Sequence, residues 1–317
     1  MDRRRRTART TKPAENFQNK GPITSACASG TLLIMLATSR LYRALQRSFS
    51  SSSALPPAPS PSALASVFSY LVHARRSGAR LDGSRSVPLA TQRALVDLTS
   101  RAPSGFNLQP YTVVFVDEAR VRARLAEAML GVGNIERVAG APLVAVFAAD
   151  LDATASVPEV QEMEARTGQR SAAYLRGMPV GAAAFASSQA GGLGGACAAA
   201  ALSRAAGLAG ALTGAPLPPL GVPGIAWAYK QTALAAMTYL LAATSLGLAT
   251  HPMEGLDHAR AARAVGLAEG RFSVPLVVAT GWPLHRPAAG DAPPPPTPRR
   301  PAVFRYNRAS NPFPSEG

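Results

Sequence analysis

The sequence predicts a folded region in which helices and strands are mixed, and three observations carry that prediction. Thr112 to Val116 alternates as a half-buried strand does. Pro142 to Ala149 and Val274 to Ala279 are near-continuous apolar runs, the pattern of buried strands. Trp227 to Gly247 is apolar on nearly every face, which predicts a helix buried on several sides. With 317 residues, the chain can form one large domain or two small ones.

The elements follow in order. Residues 62–74 predict a helix through Leu64, Val67, Phe68 and Leu71, with Arg75-Arg76-Ser77 at its end. Pro88 to Ser100 predicts a second, through Leu89, Leu95 and Leu98. After the 112–116 strand, Asp117 can cap a helix that runs through Met129 on a face of Val121, Leu125 and Met129. Gly131-Val132-Gly133-Asn134 then ends it. That run is no dinucleotide fingerprint, because no strand precedes it and no third glycine stands at the required place. Asp150 and Asp152 close the 142–149 strand, and the polar, acidic residues 158–176 predict a surface helix.

Residues 177–224 carry no charge except Arg204, are rich in Ala and Gly, and hold prolines at 216, 218, 219 and 223. Small residues and proline breaks disfavour a membrane span, so an inserted loop or paired small-residue helices are expected. Gly247 suits the end of the 227–247 helix, and Asp257 suits the start of a helix at 258–265. The Pro-rich 287–298 predicts an extended segment, and 311–317 a C-terminal tail.

The net charge of +15 is uneven: residues 1–61 hold ten Lys/Arg against two Asp/Glu. No basic-aromatic stripe accompanies it, which argues against nucleic acid as a partner. No acid occurs between Glu15 and Asp82. Arg40, Arg43 and Arg47 share one helical face, beside an apolar face of Leu41, Leu45 and Phe49, and a Ser/Pro/Ala run follows. Arg-rich, Ser-rich, acid-poor amphipathic segments are transit peptides, so 1–61 is expected to direct the chain to the mitochondrion, with the chloroplast as alternative. Met35 is a second candidate start. Leu32 to Ala37 is too short to span a membrane. Cys27 and Cys197 are the only cysteines and form no metal cluster or disulfide framework. His251, Glu254 and His258 offer metal-ligand chemistry, but Pro252 and Gly255 interrupt any shared helical face, so no metal is expected.

The stretch Ala102-Pro-Ser-Gly-Phe-Asn-Leu-Gln-Pro-Tyr111 organises the rest. Pro103 and Gly105 set an unusual backbone path. Ser104, Asn107 and Gln109 offer uncharged donors and acceptors suited to a heteroaromatic ring. A plain helix-to-strand turn is the alternative reading of the same residues.

This stretch resembles the FMN-dependent nitroreductase family, in which an Ala-Pro-Ser-x-x-Asn-x-Gln-Pro-aromatic segment lies against the flavin. Three other stretches agree in order: Arg75-Arg76-Ser77, Pro252-Met253-Glu254-Gly255-Leu256-Asp257, and Val274 to Pro283 ending Ala-Thr-Gly-Trp-Pro. The resemblance covers residues 69–308. It implies an α+β fold, an α/β/α sandwich around a mostly antiparallel sheet, built as a homodimer. The flavin would lie at the subunit interface, with the Pro-Ser-Gly turn of one subunit reaching the flavin of the other.

The cofactor-binding residues it implies are Arg75, Arg76, Ser77, Pro103, Ser104, Gly105, Asn107, Gln109, Met253, Glu254 and Gly255, with Arg299 or Arg300 on the phosphate. The sequence departs from the family after Ser77: Ala79 and Leu81 stand where a basic and an aromatic residue are usual, and Arg80 falls one place late. A flavin needs cations for its phosphate and for the anionic edge of the reduced ring, and a donor near N5. No catalytic side chain is expected, because the flavin carries the hydride chemistry. The expected activity is NAD(P)H:acceptor oxidoreduction by a ping-pong route, with NADH or NADPH as reductant and a nitroaromatic or quinone as small-molecule electron acceptor. Other flavin chemistry (reductive dehalogenation or flavin breakdown) and a non-enzymatic flavin-binding role are the alternatives.

Overall fold

The computed structural model describes residues 59–186 and 224–285, together with 201, 204–205 and 207–214. The residues before 59, where a transit peptide is expected, lie outside them, as do Cys27, Cys197, Arg299, Arg300, the Pro-rich 287–298 and the tail 311–317. So does most of the alanine-rich 177–224.

Four strands make one sheet: β1 (Tyr111–Val116), β2 (Leu143–Asp150), β3 (Ala249–Met253) and β4 (Phe272–Gly281). Their spatial order is β1-β2-β4-β3, with every neighbour antiparallel. The two central strands are buried on both faces, which explains why their sequences are continuous rather than alternating. One face of the sheet, through Val144, Val146, Val277 and Ala279, packs on α3 (Ala119–Ala126), α4 (Val132–Gly140) and α8 (His258–Ala264). The other, through Leu143, Ala145, Phe147 and Val278, packs on α2 (Leu89–Thr99) and α7 (Gly224–Ser245). The result is the expected α/β/α sandwich. A third cluster joins α7 to α5 (Val157–Thr167) and α6 (Ala172–Ala186) through Leu108, Val160, Met178 and Trp227. Helix α1 (Pro61–Ala74), capped by Ser60, buries none of its residues. Among the described residues no helix is long and apolar enough to cross a membrane.

The structure corrects several expected elements. The helix after β1 stops at Ala126, and it starts after Glu118 rather than from an Asp117 cap. Gly131 does not end that helix. At φ 83° it opens α4, a helix whose apolar face of Val132, Ile135 and Val138 was hidden behind its glycines. The single surface helix expected at 158–176 is two helices, because Gly168 takes a left-handed φ of 65° and closes α5. Glu164 within it is buried. Strand β3 was not expected, since Pro252 interrupts its strand signal. Its place on the sheet edge makes the missing N–H harmless. Asp257 does cap α8, accepting from the Arg260 N–H at 3.0 Å.

Helix α7 is tied to the sheet by Tyr239. Its ring meets Phe147 edge-on at 5.4 Å, and its hydroxyl hydrogen-bonds Thr280 Oγ1 at 2.8 Å, with both residues fully buried. Burial holds the Tyr239 hydroxyl well above its ordinary ionisation range, against a smaller opposing pull from Thr280. An unfolded tyrosine ionises near pH ~10, whereas this one stays neutral. The unfolded state therefore binds fewer protons above that pH, and stability falls as pH rises further. Tyr239→Phe should lose about 1–2 kcal/mol at neutral pH through the unpaired Thr280 hydroxyl. The gap between the two proteins in urea titrations should shrink as pH rises past about 10.

Candidate functional site

The turn from Ser104 to Gln109 is strained and closely held. Phe106, Asn107 and Gln109 all have positive φ, at 54°, 56° and 45°. Non-glycine residues adopt this region at a cost of order 1–3 kcal/mol each, so the surroundings must fix it. Ser104 Oγ accepts from the Gln109 N–H at 2.9 Å, closing the turn on itself. Asn107 Nδ2 donates to Glu164 Oε1 of α5 at 2.9 Å, and Gln109 Nε2 donates to the Asn107 carbonyl at 3.0 Å. The Gly105 N–H donates to Gln231 Oε1 of α7 at 2.9 Å, and a Cβ on Gly105 would come within 2.9 Å of the Trp227 ring. Much of the polar inventory that could hold a ring is thus used inside the chain. The Ser104 O–H and the Gln109 side-chain oxygen have no partner among the described residues.

Arg75 and Arg76 leave the end of α1 half-buried, with Arg75 Nη1 3.4 Å from Ser77 Oγ. Among the described residues neither guanidinium has a carboxylate partner. The chain then docks at the C-terminal end of β4: Asp82 N–H donates to the Trp282 carbonyl at 2.8 Å, and Leu284 N–H to the Arg80 carbonyl at 2.7 Å. His251 Nε2 reaches the Ala79 carbonyl at 2.5 Å, which occupies one of the two histidines considered for metal.

The loop Met253–Gly255 ends β3. Its carbonyls are engaged, Gly255 by the Leu130 N–H at 2.8 Å and Glu254 by the Leu256 N–H at 3.0 Å. The N–H groups of Glu254 and Gly255 have no acceptor among the described residues. A Cβ on Gly255 would meet Asn134 Nδ2 at 3.0 Å, so that side chain would have to shift. Because β3 stops at Met253, paired to Val277, β4 residues before Val277 have no β3 partner. A cavity of about 320 Å³ fills that place, lined by Tyr229, Ala233, Glu254, His258, Pro275 and Leu276.

The sequence did not point to what lies on the cavity wall. Tyr229 Oη is 2.9 Å from His258 Nδ1 and 2.6 Å from Ser273 Oγ, and Ser273 Oγ is 3.2 Å from the same nitrogen. The Tyr229 and His258 rings are nearly parallel, with 8° between their planes and centroids 6.1 Å apart. These three residues lie far apart in the chain and form no motif. Gln231 and Glu164 were missed too. A lone amide on the Trp227 side of an apolar helix was the available signal for Gln231, and an acidic helix concealed the buried Glu164.

One chain does not bring all the expected residues together. The turn lies at the N-terminal end of β4, where the Asp150 N–H donates to the Pro110 carbonyl at 2.9 Å, opposite the end where residues 79–82 dock. It sits on the Trp227 and Gln231 side of α7, whereas the cavity sits on the Tyr229 and Ala233 side. Two residues further along a helix are roughly 200° round. Helix α7 therefore separates the turn from the Glu254 loop.

The groups left without partners suit the flavin that the resemblance implies. Two guanidiniums fit a phosphate or an anionic ring edge. Two neighbouring backbone N–H groups fit a ring nitrogen, and the cavity beside them has apolar walls at Ala233, Pro275 and Leu276. Gln231→Ala should leave the Gly105 N–H unpaired beside a buried site and cost about 1–3 kcal/mol in a denaturant titration.

Comparison with known proteins bears on the whole region. A 200-residue stretch is 28% identical to a protein of Thermus thermophilus named NADH dehydrogenase, covering 63% of this chain and 78% of that one. The structure overlays on a nitroreductase family protein from Streptococcus pneumoniae with a TM-score of 0.55 and 18% identity, covering 75% of this chain and 99% of that one. It also overlays on an Exiguobacterium sibiricum protein assigned as a nitroreductase and solved in complex with FMN, with a TM-score of 0.53 and 18% identity over 74% of this chain and 93% of that one. At such identities the likeness is one of fold. The nitroreductase family model matches residues 72–282, from the last turn of α1 to the residue after β4. With well over half of its length matched, the chain belongs to the nitroreductase family, a family of flavin-dependent oxidoreductases.

Proposed function

We propose that this protein is an FMN-dependent NAD(P)H:acceptor oxidoreductase that works as a homodimer, with quinones or nitroaromatics as acceptors. The observation that carries the reading is the pair of N–H groups at Glu254 and Gly255, without an acceptor among the described residues, beside a cavity with apolar walls at Ala233, Pro275 and Leu276. The names of the relatives support it, one being an NADH dehydrogenase and another a complex with FMN.

Bound FMN supplies hydride transfer, accepting from the nicotinamide and giving to the acceptor in turn. The chain binds and orients. Arg75 and Arg76 hold negative charge, either the phosphate or the edge of the reduced ring. The Glu254 and Gly255 N–H groups donate to the ring from one side. The Ser104 O–H and the Gln109 side-chain oxygen approach from a second copy. Arg299 or Arg300 adds a cation to the phosphate.

Two features support a second copy. Helix α7 keeps the turn and the Glu254 loop apart within one chain. Helix α1 leaves Val67, Phe68 and Tyr70 58–66% exposed, and Leu234 and Met237 of α7 are exposed as well. Apolar patches of this kind mark association surfaces. The Arg40, Arg43 and Arg47 segment supports delivery to the mitochondrion, or else the chloroplast.

The visible spectrum of protein purified with FMN tests the reading. Flavin bands should bleach with NADH or NADPH and return on adding a quinone or nitroaromatic, and a protein that takes up no FMN would refute it. Arg75→Ala with Arg76→Ala should weaken FMN about 10–100-fold by fluorescence titration, the worth of a lost charged hydrogen bond. Phe68→Asp should turn a dimer into a monomer in analytical ultracentrifugation and release the flavin with it.

A further inference from the structure

We propose that Tyr229, His258 and Ser273 form a proton relay opening on the cavity at the foot of β3, with His258 as the acid that protonates an acceptor oxygen bound there. The inference rests on the oxidoreductase reading and names the group that completes it. A hydride adds two electrons and one hydrogen, so a quinone or carbonyl acceptor still needs one proton. Of the cofactor-binding residues only Glu254 lines the cavity.

The trio comes from three elements, α7, the start of α8, and β4, and its three polar atoms lie within 2.6–3.2 Å of one another. Only one ring nitrogen, Nδ1, is engaged. His258 also lines the cavity, and its Nε2 has no partner among the described residues. A hydroxyl both donates and accepts, so the cycle can run in two senses. With a neutral imidazole protonated at Nε2, Ser273 donates to Tyr229 and Tyr229 to Nδ1. With an imidazolium, Nδ1–H donates to Tyr229 and Tyr229 to Ser273. The change needs no movement of a heavy atom, and each sense leaves Nε2 as the donor toward the cavity.

In the step assigned, the acceptor takes the hydride from the reduced cofactor and its oxygen takes the proton from the imidazolium Nε2. An O–H bond forms, the Nε2–H bond breaks, the neutral imidazole keeps its remaining proton on Nδ1 toward Tyr229, and hydronium from solvent restores the Nε2 proton before the next turnover. Imidazole changes charge near neutral pH, as a reversible acid requires. The charged and titratable groups around it are few. Glu254 lines the same cavity from the loop, and Asp257, on the residue before, is engaged by the Arg260 N–H. Arg271 on the approach to β4 is paired to Asp150 at 2.7 Å.

Two measurements test the relay. In the first, flavin-loaded protein is reduced anaerobically with dithionite, then mixed with 2-methyl-1,4-naphthoquinone, and flavin reoxidation is followed from mildly acid to mildly alkaline pH. The wild-type rate should fall as pH rises, because the proton donor is lost. His258→Gln should be roughly 10²-fold slower with a flat profile, and Tyr229→Phe, which keeps the parallel ring, should shift the profile. In the second, 4-nitrophenol is titrated into the protein with or without flavin and its absorption band is read. His258→Gln should weaken binding about tenfold, the worth of one hydrogen bond at the site. Unchanged reoxidation rate and profile in His258→Gln, or unchanged nitrophenol binding, overturns the relay. Dithionite separates the two readings. Wild-type protein that NAD(P)H cannot reduce, yet reoxidises with a His258-dependent pH profile, refutes the reductant and keeps the relay.

Discussion

The architecture depends on one constraint: helix α7 has to bury the half of its residues that face the sheet and its neighbours while still presenting a few polar groups. Its alanines at 228, 235, 236, 242 and 243 allow close approach to the sheet and its neighbours. Three of its large polar residues each face a different partner. Tyr239 fixes the helix to β4, Gln231 holds the Ser104–Gln109 turn, and Tyr229 forms part of the cavity wall. A buried polar group without a partner is costly, so each residue sets the rotation of the helix as well as its depth. Position along one helix thus converts into position on three separate surfaces.

The turn shows the other side of that arrangement. Three left-handed non-glycine residues within four positions would not persist in an isolated peptide. Anchors on α5 and α7 hold them, through the Asn107–Glu164 and Gly105–Gln231 hydrogen bonds. Rigid placement of a loop by a packed scaffold is how a fold can serve a ligand without first reorganising.

Much of the fold was legible in the sequence, and the reasons are physical. Continuous apolar runs at 142–149 and 274–279 can only be strands buried on both faces. An apolar helix as long as 227–247 has nowhere to go but the centre. The arginine pair, the Pro-Ser-Gly turn and the Glu254-Gly255 loop were readable as motifs because each needs particular residue types at fixed local spacing. Their distribution around α7 was not readable, because it depends on helix rotation and strand order. Strand β3 was masked by Pro252 and helix α4 by Gly131 and Gly133, positions where tertiary context overrides local propensity. The Tyr229, His258 and Ser273 trio was invisible for a simpler reason: side chains 15 to 44 positions apart meet only once the chain is folded.

The proline within β3 also limits how this protein can meet another. An exposed strand edge is an open template for pairing with a neighbouring chain. Among the described residues β3 is an edge strand, and Pro252 in its middle offers no N–H to a ladder, which weakens regular pairing there. Runaway growth of fibre-like ladders is hindered there by a covalent ring rather than by charge. The protection is unaffected by salt or pH, in contrast to edges guarded by lysine.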